Sequence, residues 1–457
     1  MRNLPPLGRV SVEDMAQARE ARAALQEKLL LNHDTVVCLT MNIPGPKKVS
    51  PLIEEAFFEG LRLVGDALPR DQAGNPVRPV HLTLNKTGPE AFYALSANAR
   101  QIKRTLVSIE DETPLGRLFD IDVLSALDGA KLSRETLGLP ARKCLLCGRP
   151  AFLCARSRAH SVEELNNEIG RIILSWKRDQ VCATVSFLAV QALILEAETT
   201  PKPGLVDERN NGSHPDMTLD MFRRSADALK DYFKTCAFLG FDTDDLRALY
   251  TLLQPEGLKA EQAMLAATNG VNTHKGAIFS LGILCAAAAH GEKHGNSRDP
   301  RAVCRIAGSI PKYAVARYLE KLNEESAVTF GERLYVKTGL SGIRGEVADG
   351  YPSVLKIALP ALERYLSLSC SLKDAGARAL IHLLAQTKDT TLVKRGGLER
   401  AGQISGLAKQ MLEGDMSRGE LCALDDLFIR ENLTCGGCAD LLACTYFLYL
   451  FSHAQDE

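Results

Sequence analysis

The stretch GRLFDIDVL at 116–124 alternates apolar and polar residues, the period of a half-buried strand. Phe119, Ile121 and Val123 then share one face and Asp120 and Asp122 the other. Two carboxylates side by side repel each other unless a cation lies between them. A hard Mg²⁺ held by such a pair and by phosphate oxygens is a common solution. It neutralises charge on a transferring phosphoryl group and orients the attacking oxygen. Gly116 and Arg117 directly upstream add a phosphate-binding character, with Arg117 as a candidate ligand. The other reading is a strand whose polar face carries two aspartates with no metal.

A second constellation follows at once. CLLCGRPAFLCARSRAH places Cys144, Cys147, Cys154 and His160 at spacings x2, x6 and x5. Four such ligands can close a tetrahedral Zn²⁺ site. The alternative is a reduced CxxC turn beside a separate buried cysteine and an exposed histidine, because these spacings match no common zinc finger. Arg156 and Arg158 could equally serve a phosphate. The chain holds 13 cysteines and no secretion signal, so its thiols read as reduced. Cys182, Cys285 and Cys444 lie in apolar helical runs and read as core.

The third signal is a set of five loops. TTPKPGLVDERNNGSH (199–214) combines prolines and glycines with charge, and so has a defined shape. GVNTHKGAIF (270–279), GIRGEVADGYP (342–352), DTTLVKRGG (389–397) and LTCGGCADLL (433–442) repeat its design near expected helix starts. Helix N-termini attract anions, and glycine lets a phosphate approach the backbone. The loops therefore predict one polyphosphate pocket. Lys202, Asn272, His274, Lys275, Arg344, Lys394 and Arg395 are its expected polar wall, with Gly396, Gly436 and Gly437 giving backbone access. Asp207 and Glu346 are the expected catalytic carboxylates, and Asp389 and Asp440 further acidic groups that could carry Mg²⁺ or take a proton. The cations are expected to sit exposed, with little bearing on stability. Taken singly, each loop is also what an ordinary helix cap looks like.

The elements that must position these groups fall into two halves. Residues 1 to about 160 mix helix and strand: a capping box at Ser11 and Asp14, the β-branched run TVVCLTM (35–41), a Ser50-Pro51 helix start, and HLTLN and FYALS flanking a Thr87-Gly88-Pro89 turn. That half reads as α/β or α+β. From Ser161 onward the pattern is nearly all helical, with stretches near 161–176, 182–197, 219–238, 257–268, 276–290, 354–386, 398–413 and 437–452. The charged KRDQ at 177–180 is the expected seam, giving domains 1–180 and 181–457.

Composition sets the class. Hydrophobic residues make up 46% and charged residues 24%, and 55 basic against 56 acidic residues leave a net charge of −1. This argues against a general nucleic-acid binder. MRNLPPLGRV has no apolar signal core, and VCATVSFLAVQALIL (181–195) is shorter than the roughly 20 residues that span a bilayer. A cytoplasmic protein with no membrane partner is expected. No P-loop is present, and GLSGIRG (339–345) has the wrong glycine spacing for a dinucleotide site.

The motifs EAETTPKPGLVDERNNGSHPDM, GVNTHKGAIFSLGILCAAAA, GIRGEVADGYPSV, DTTLVKRGG and GGCADLLACTYFL make 181–457 resemble the triphosphoribosyl-dephospho-CoA synthases. NIPGPKKVSPLI, PLGRLFDIDVL and KCLLCGRPAFLCARSRAH make roughly 5–175 resemble the apo-citrate lyase phosphoribosyl-dephospho-CoA transferases. The whole resembles a bifunctional fusion. The resemblance implies a nucleotidyltransferase-like α+β domain followed by an all-α domain. It implies that the helical half joins ATP and 3′-dephospho-CoA with loss of adenine. The first half would then pass the product to a serine of the citrate lyase acyl carrier protein, the gamma subunit, expelling pyrophosphate. Thr113 stands where that family often has His, and Cys435 where Pro is usual. The rival readings are the same chemistry serving malonate decarboxylase, and a zinc-dependent scaffold that binds a carrier protein without catalysis.

Overall fold

The computed structural model describes residues 8–70, 74–296 and 298–454. They fall into two compact units, one ending at Lys177 and the other starting at Arg178.

The first unit runs α1 (Val12–Leu30), β1 (Thr35–Met41), α2 (Pro51–Ala67), β2 (His81–Asn85), β3 (Gly88–Leu95), α3 (Ala99–Glu112), β4 (Phe119–Ser125), β5 (Ala130–Lys131), α4 (Ala151–Ser157) and the start of α5 (Val162–Glu198). Its sheet has the order β2-β3-β1-β4-β5, antiparallel throughout. It is therefore α+β, with no parallel crossover. Ser11 and Asp14 form the expected capping box, and Ser50 caps α2 ahead of Pro51. The β2–β3 turn sits one residue earlier than its glycine and proline indicate. Asn85 pairs with Gly88, so Lys86 and Thr87 form the tip, and Asn85 Oδ1 accepts from the Thr87 amide at 3.0 Å. An Asx turn has outcompeted the Gly-Pro signal.

Alternation in the strands decides the two sheet faces. Val37, Leu39, Ile121 and Val123 pack with Phe57 of α2, Leu106 of α3 and Ile173 of α5 in the main core of this unit. The opposite face carries Val36, Cys38 and Phe92, covered by Leu25, Leu29 and Leu30 of α1. Asp120 lies opposite Thr40 and Asp122 opposite Cys38 on β1, which places both carboxylates on the α1 side.

The second unit is helical. It comprises the rest of α5 and then α6 (Leu219–Ala228), α7 (Lys230–Asp242), α8 (Leu246–Ala267), α9 (Lys275–Lys293), α10 (Pro300–Ser309), α11 (Lys312–Glu320), α12 (Phe330–Thr338) and α13 (Gly342–Ala348). A π turn at Val354–Ala358 leads into α14 (Leu359–Ser367), followed by α15 (Leu372–Gln386), α16 (Thr390–Leu412), α17 (Arg418–Arg430) and α18 (Gly436–His453). α9 and α18 are apolar around most of their circumference, as central helices must be, and most of their residues are buried. The alanine run of α9 lets α7 approach its backbone. A Cβ on Gly240 of α7 would stand 2.1 Å from the Ala286 carbonyl oxygen.

Several expected helices differ in extent. The stretch 219–238 breaks at Leu229 into α6 and α7, and 354–386 breaks at Cys370 into α14 and α15. The KRDQ run does not interrupt the chain: α5 passes through it as one helix of 37 residues. Lys, Arg, Asp and Gln all tolerate a helix interior, and neither Gly nor Pro stands there to stop it. By length and composition α5 is also long and apolar enough to cross a membrane, which the shorter stretch weighed above is not. Its apolar residues are consumed by cores instead. Ile169 and Ile173 belong to that of the first unit, and Val185, Ala189 and Leu193 to that of the second.

Candidate active site

In the second unit α9, α16 and α18 all begin at one cavity of about 200 Å³. Asn272, His274, Lys275 and Gly276 line it from the start of α9, Thr391 from α16, and Thr434, Gly436 and Asp440 from α18. Glu196 and Leu193 enter from the end of α5, and Lys202, Val206 and His214 from the 199–214 loop. Helix starts present unpaired amides and the positive end of the helix dipole, so the wall suits a polyanion.

The loop owes its shape to two buried carboxylates. Asp207 Oδ2 accepts from Thr200 Oγ1 and the Lys202 amide, both at 2.8 Å, and Oδ1 from the amides of Arg209 (2.7 Å) and Asn210 (3.0 Å). Asp425 of α17 accepts from the Gly204 amide at 3.0 Å and from Asn210 Nδ2 at 2.8 Å. Lys202 is 1% exposed rather than solvated, and its Nζ donates to the Glu196 carbonyl and carboxylate, each at 2.6 Å. The expectation that Lys202 sits exposed is therefore overturned.

Two titratable groups stand out at the cavity. His274 Nδ1 is hydrogen-bonded to Ser225 Oγ at 2.7 Å, whereas its buried Nε2 has no protein partner. Burial, with the nearby Lys202 charge second, pushes its pKa down to about 3, so the ring is neutral. Asp440 faces Gly276, where a Cβ would stand 1.9 Å from Asp440 Oδ2. Burial, then the charges of Glu196 and Asp389, hold the Asp440 carboxyl well above the ordinary range, and the Ala277 backbone opposes this. Once deprotonated, a carboxylate with its proton affinity raised in this way is a stronger base than an ordinary one, which suits it to taking a proton from substrate.

In the first unit Asp120 is exposed and Asp122 half-buried on the strand face anticipated for them. Burial, and then repulsion from Asp120, raise the Asp122 carboxyl above the ordinary range, and an ion pair with Lys131 opposes that. Lys131 already meets part of the pair's charge, and two hard oxygen donors two residues apart on one strand face would suit a divalent cation. Arg117 donates to the Lys143 carbonyl beside this strand. Thr113 Oγ1 donates to the Ile109 carbonyl at 2.7 Å and closes α3. Further along, the ligand atoms of Cys144, Cys147, Cys154 and His160 lie within 4.8 Å of one another.

Two families match this chain. The ATP:dephospho-CoA triphosphoribosyl transferases match residues 182–457, and the apo-citrate lyase phosphoribosyl-dephospho-CoA transferases match residues 10–176. Protein CitXG of Haemophilus influenzae is 34% identical over 97% of this chain and 97% of its own length. Protein CitXG of Leuconostoc mesenteroides is 33% identical over 96% and 97%. This chain belongs to the CitXG family. A 2-(5''-triphosphoribosyl)-3'-dephosphocoenzyme-A synthase of Pectobacterium atrosepticum is 37% identical over 62% of the chain and 95% of its own length.

Within this CitXG chain the five loops do not all reach the cavity. Arg344 is exposed and stacks over Tyr318 at 4.7 Å. Glu346 accepts from the Ser353 amide at 2.7 Å and from Ser353 Oγ at 2.9 Å, and neither Arg344 nor Glu346 lines the cavity. Lys394 is exposed outside it. Arg395 stands behind the wall, donating to Asn432 Oδ1 at 2.6 Å and to the Ser213 carbonyl at 3.0 Å. Gly396 packs against Leu433. Asp389 is consumed as a cap: Oδ1 accepts from the Thr391 and Leu392 amides at 2.7 and 2.9 Å, and Oδ2 from the Cys438 amide at 2.7 Å. A Cβ on Gly437 would crowd that cap, standing 3.0 Å from Asp389 Oδ2. Cys435 donates its thiol to the Pro203 carbonyl at 3.3 Å. Sequence reasoning missed Glu196, His214 and Ser225. Glu196 had a signal, since a lysine in a proline-bounded turn needs an anion when buried.

Proposed function

We propose that the second unit joins ATP to 3′-dephospho-CoA and that the first unit transfers the product to the citrate lyase acyl carrier protein, so that one chain builds the lyase's prosthetic group. In the first step the 2′-oxygen of dephospho-CoA bonds to C1 of the ATP ribose. The C1–N bond breaks, adenine leaves with its electron pair, and the 2′-hydroxyl proton passes to a base. The charge on the sugar at the transition state is oxocarbenium-like, as in glycoside chemistry. In the second step a serine oxygen of the carrier protein attacks the phosphorus joined to the ribose, and pyrophosphate leaves.

The observation that carries this reading is Asp440. It is a proton-poised carboxyl at a cavity into which three helices start. We assign it as the base. Asp207 and Glu346 are assigned to positioning, because their carboxylates already accept two or more internal hydrogen bonds. The triphosphate lies along the starts of α9 and α18, with Asn272 and Lys275 at the rim and Lys202 adding charge from the floor. His274 Nε2 and His214 are left to orient the sugar or base.

The antiparallel sheet of the first unit, with Asp120 and Asp122 together on one strand, fits a nucleotidyltransferase-like fold. We assign Mg²⁺ to that pair; when bound it would neutralise the phosphate undergoing attack. The enzyme works in the cytoplasm, where 13 thiols stay reduced. The deciding experiment incubates the protein with ATP and dephospho-CoA, then adds apo-carrier protein. Free adenine in the first stage and pyrophosphate in the second are expected. No adenine from well-folded protein would overturn the reading.

A further inference from the structure

The chemistry above makes no use of Cys144, Cys147, Cys154 or His160. The first two lie on a tight hairpin. The Cys144 amide donates to the Arg149 carbonyl and the Ala151 amide to the Arg142 carbonyl, both at 2.7 Å, and Lys143 bridges Pro150. The Arg149 backbone is hydrogen-bonded to the Cys147 sulfur. Cys154 is carried by α4, and Arg158, in the left-handed region at φ 50°, turns the chain back to bring His160 in. The sulfurs of Cys147 and Cys154 are 3.5 Å apart. Around a tetrahedral zinc with bonds of about 2.3 Å, sulfurs stand about 3.8 Å apart, so this spacing is already near that of a closed site. The independent observation is His160: its Nε2 is buried with no conventional hydrogen-bond partner, and the ring interacts with the Cys147 sulfur. A buried ring nitrogen without a partner is costly unless a ligand completes it.

We propose that Cys144, Cys147, Cys154 and His160 bind one structural Zn²⁺, with three thiolate sulfurs and His160 Nε2 as its ligands. All four positions are then filled by protein, which marks a structural rather than a catalytic site. Three thiolates and one zinc leave a single negative charge, which Arg149 beside Cys147 offsets.

The metal has a mechanical target. Arg142, at the base of the hairpin, donates through Nη2 to the carbonyls of Arg117 and Phe119, each at 2.6 Å, and of Gly116 at 3.3 Å. Arg117 in turn donates to the Lys143 carbonyl. The hairpin that zinc closes is thus the clamp on the turn feeding β4, the strand of Asp120 and Asp122. Zinc positions the transfer site without touching substrate.

The test uses full-length protein purified under reducing conditions. Elemental analysis is expected to find about one zinc per chain. Replacing it with Co²⁺ should give the intense sulfur-to-cobalt charge-transfer bands and tetrahedral visible bands of a thiolate-rich site. Cys147→Ser and His160→Ala should lose the metal and slow carrier-protein modification while adenine release continues. Should those variants not fold, chelation and cobalt titration of the wild type decide alone. Reduced, folded protein that contains no zinc and gives no cobalt spectrum overturns the proposal. So does a Cys147–Cys154 disulfide in freshly purified protein.

Discussion

Lys202 and Glu196 form an ion pair at 2.6 Å with side chains 1% and 6% exposed, at the cavity of the second unit. Neither charge has water to fall back on. Removing one leaves the other buried and unpaired, a loss of about 3–5 kcal/mol. Lys202→Ala is thus expected to lower urea stability sharply as well as ATP affinity. Lys275 is the control: its side chain is 61% exposed and paired with Glu261 at the surface. Lys275→Ala is expected to shift unfolding by less than about 1 kcal/mol while weakening ATP binding in calorimetry. Equal stability for both variants would show that the pair is not closed in solution.

Asp440→Asn preserves shape and removes the base. Turnover should fall by roughly 10²–10⁴, with ATP binding largely kept. Because burial raises this carboxyl in the folded state, wild-type adenine release should rise with pH as Asp440 deprotonates, and the variant should lose that limb. The linkage runs the same way. A carboxyl with a raised folded pKa loses stability as the pH climbs from its unfolded pKa of about 4 toward the folded one, so Asp440→Asn should be more stable than wild type at pH 8. A less stable variant with an unchanged pH profile would remove Asp440 from the chemistry.

For the first unit, Asp120→Asn should abolish carrier-protein modification and leave adenine release intact. Mn²⁺ binding, followed by electron paramagnetic resonance, should weaken in parallel, since one of two hard ligands is gone. Normal transfer by this variant would make Asp120 and Asp122 a structural strand face.

A fragment of residues 181–457 is expected to fold and to release adenine only when dephospho-CoA is present. The core of the second unit begins at Val181, so the cut removes none of it. A soluble, folded fragment without activity would mean that the synthase needs residues from the first half.

The chemistry was more legible in the sequence than the division of labour. β4 could be read residue by residue, because period-2 alternation fixes which side chains share a face. Four of the five loops could be recognised as helix starts with charge, whereas 199–214 joins α5 to α6 without starting a helix. Which of them meet could not, since Arg344 and Lys202 look alike in sequence and only packing sends one outward and the other inward. Asp207 and Asp389 have the composition of catalytic carboxylates. Asp207 braces its loop and Asp389 caps α16 because each has backbone amides within reach, a matter of local geometry that residue type does not reveal. Asp440 owes its character first to burial and then to neighbours 244 and 51 residues away in sequence, Glu196 and Asp389. KRDQ lies where the two units divide, yet it does not end α5, because a helix ends only where something stops it.

The Asp389 carboxylate ties the start of α16 to the start of α18 with one oxygen on each. Two of the three helix starts at the proposed nucleotide cavity are therefore held to each other before anything arrives. A ligand entering it loses its own freedom but has little of the protein's left to quench. Affinity in such a pocket depends on complementarity, and analogues that change the spacing of the phosphates should be rejected steeply rather than accommodated.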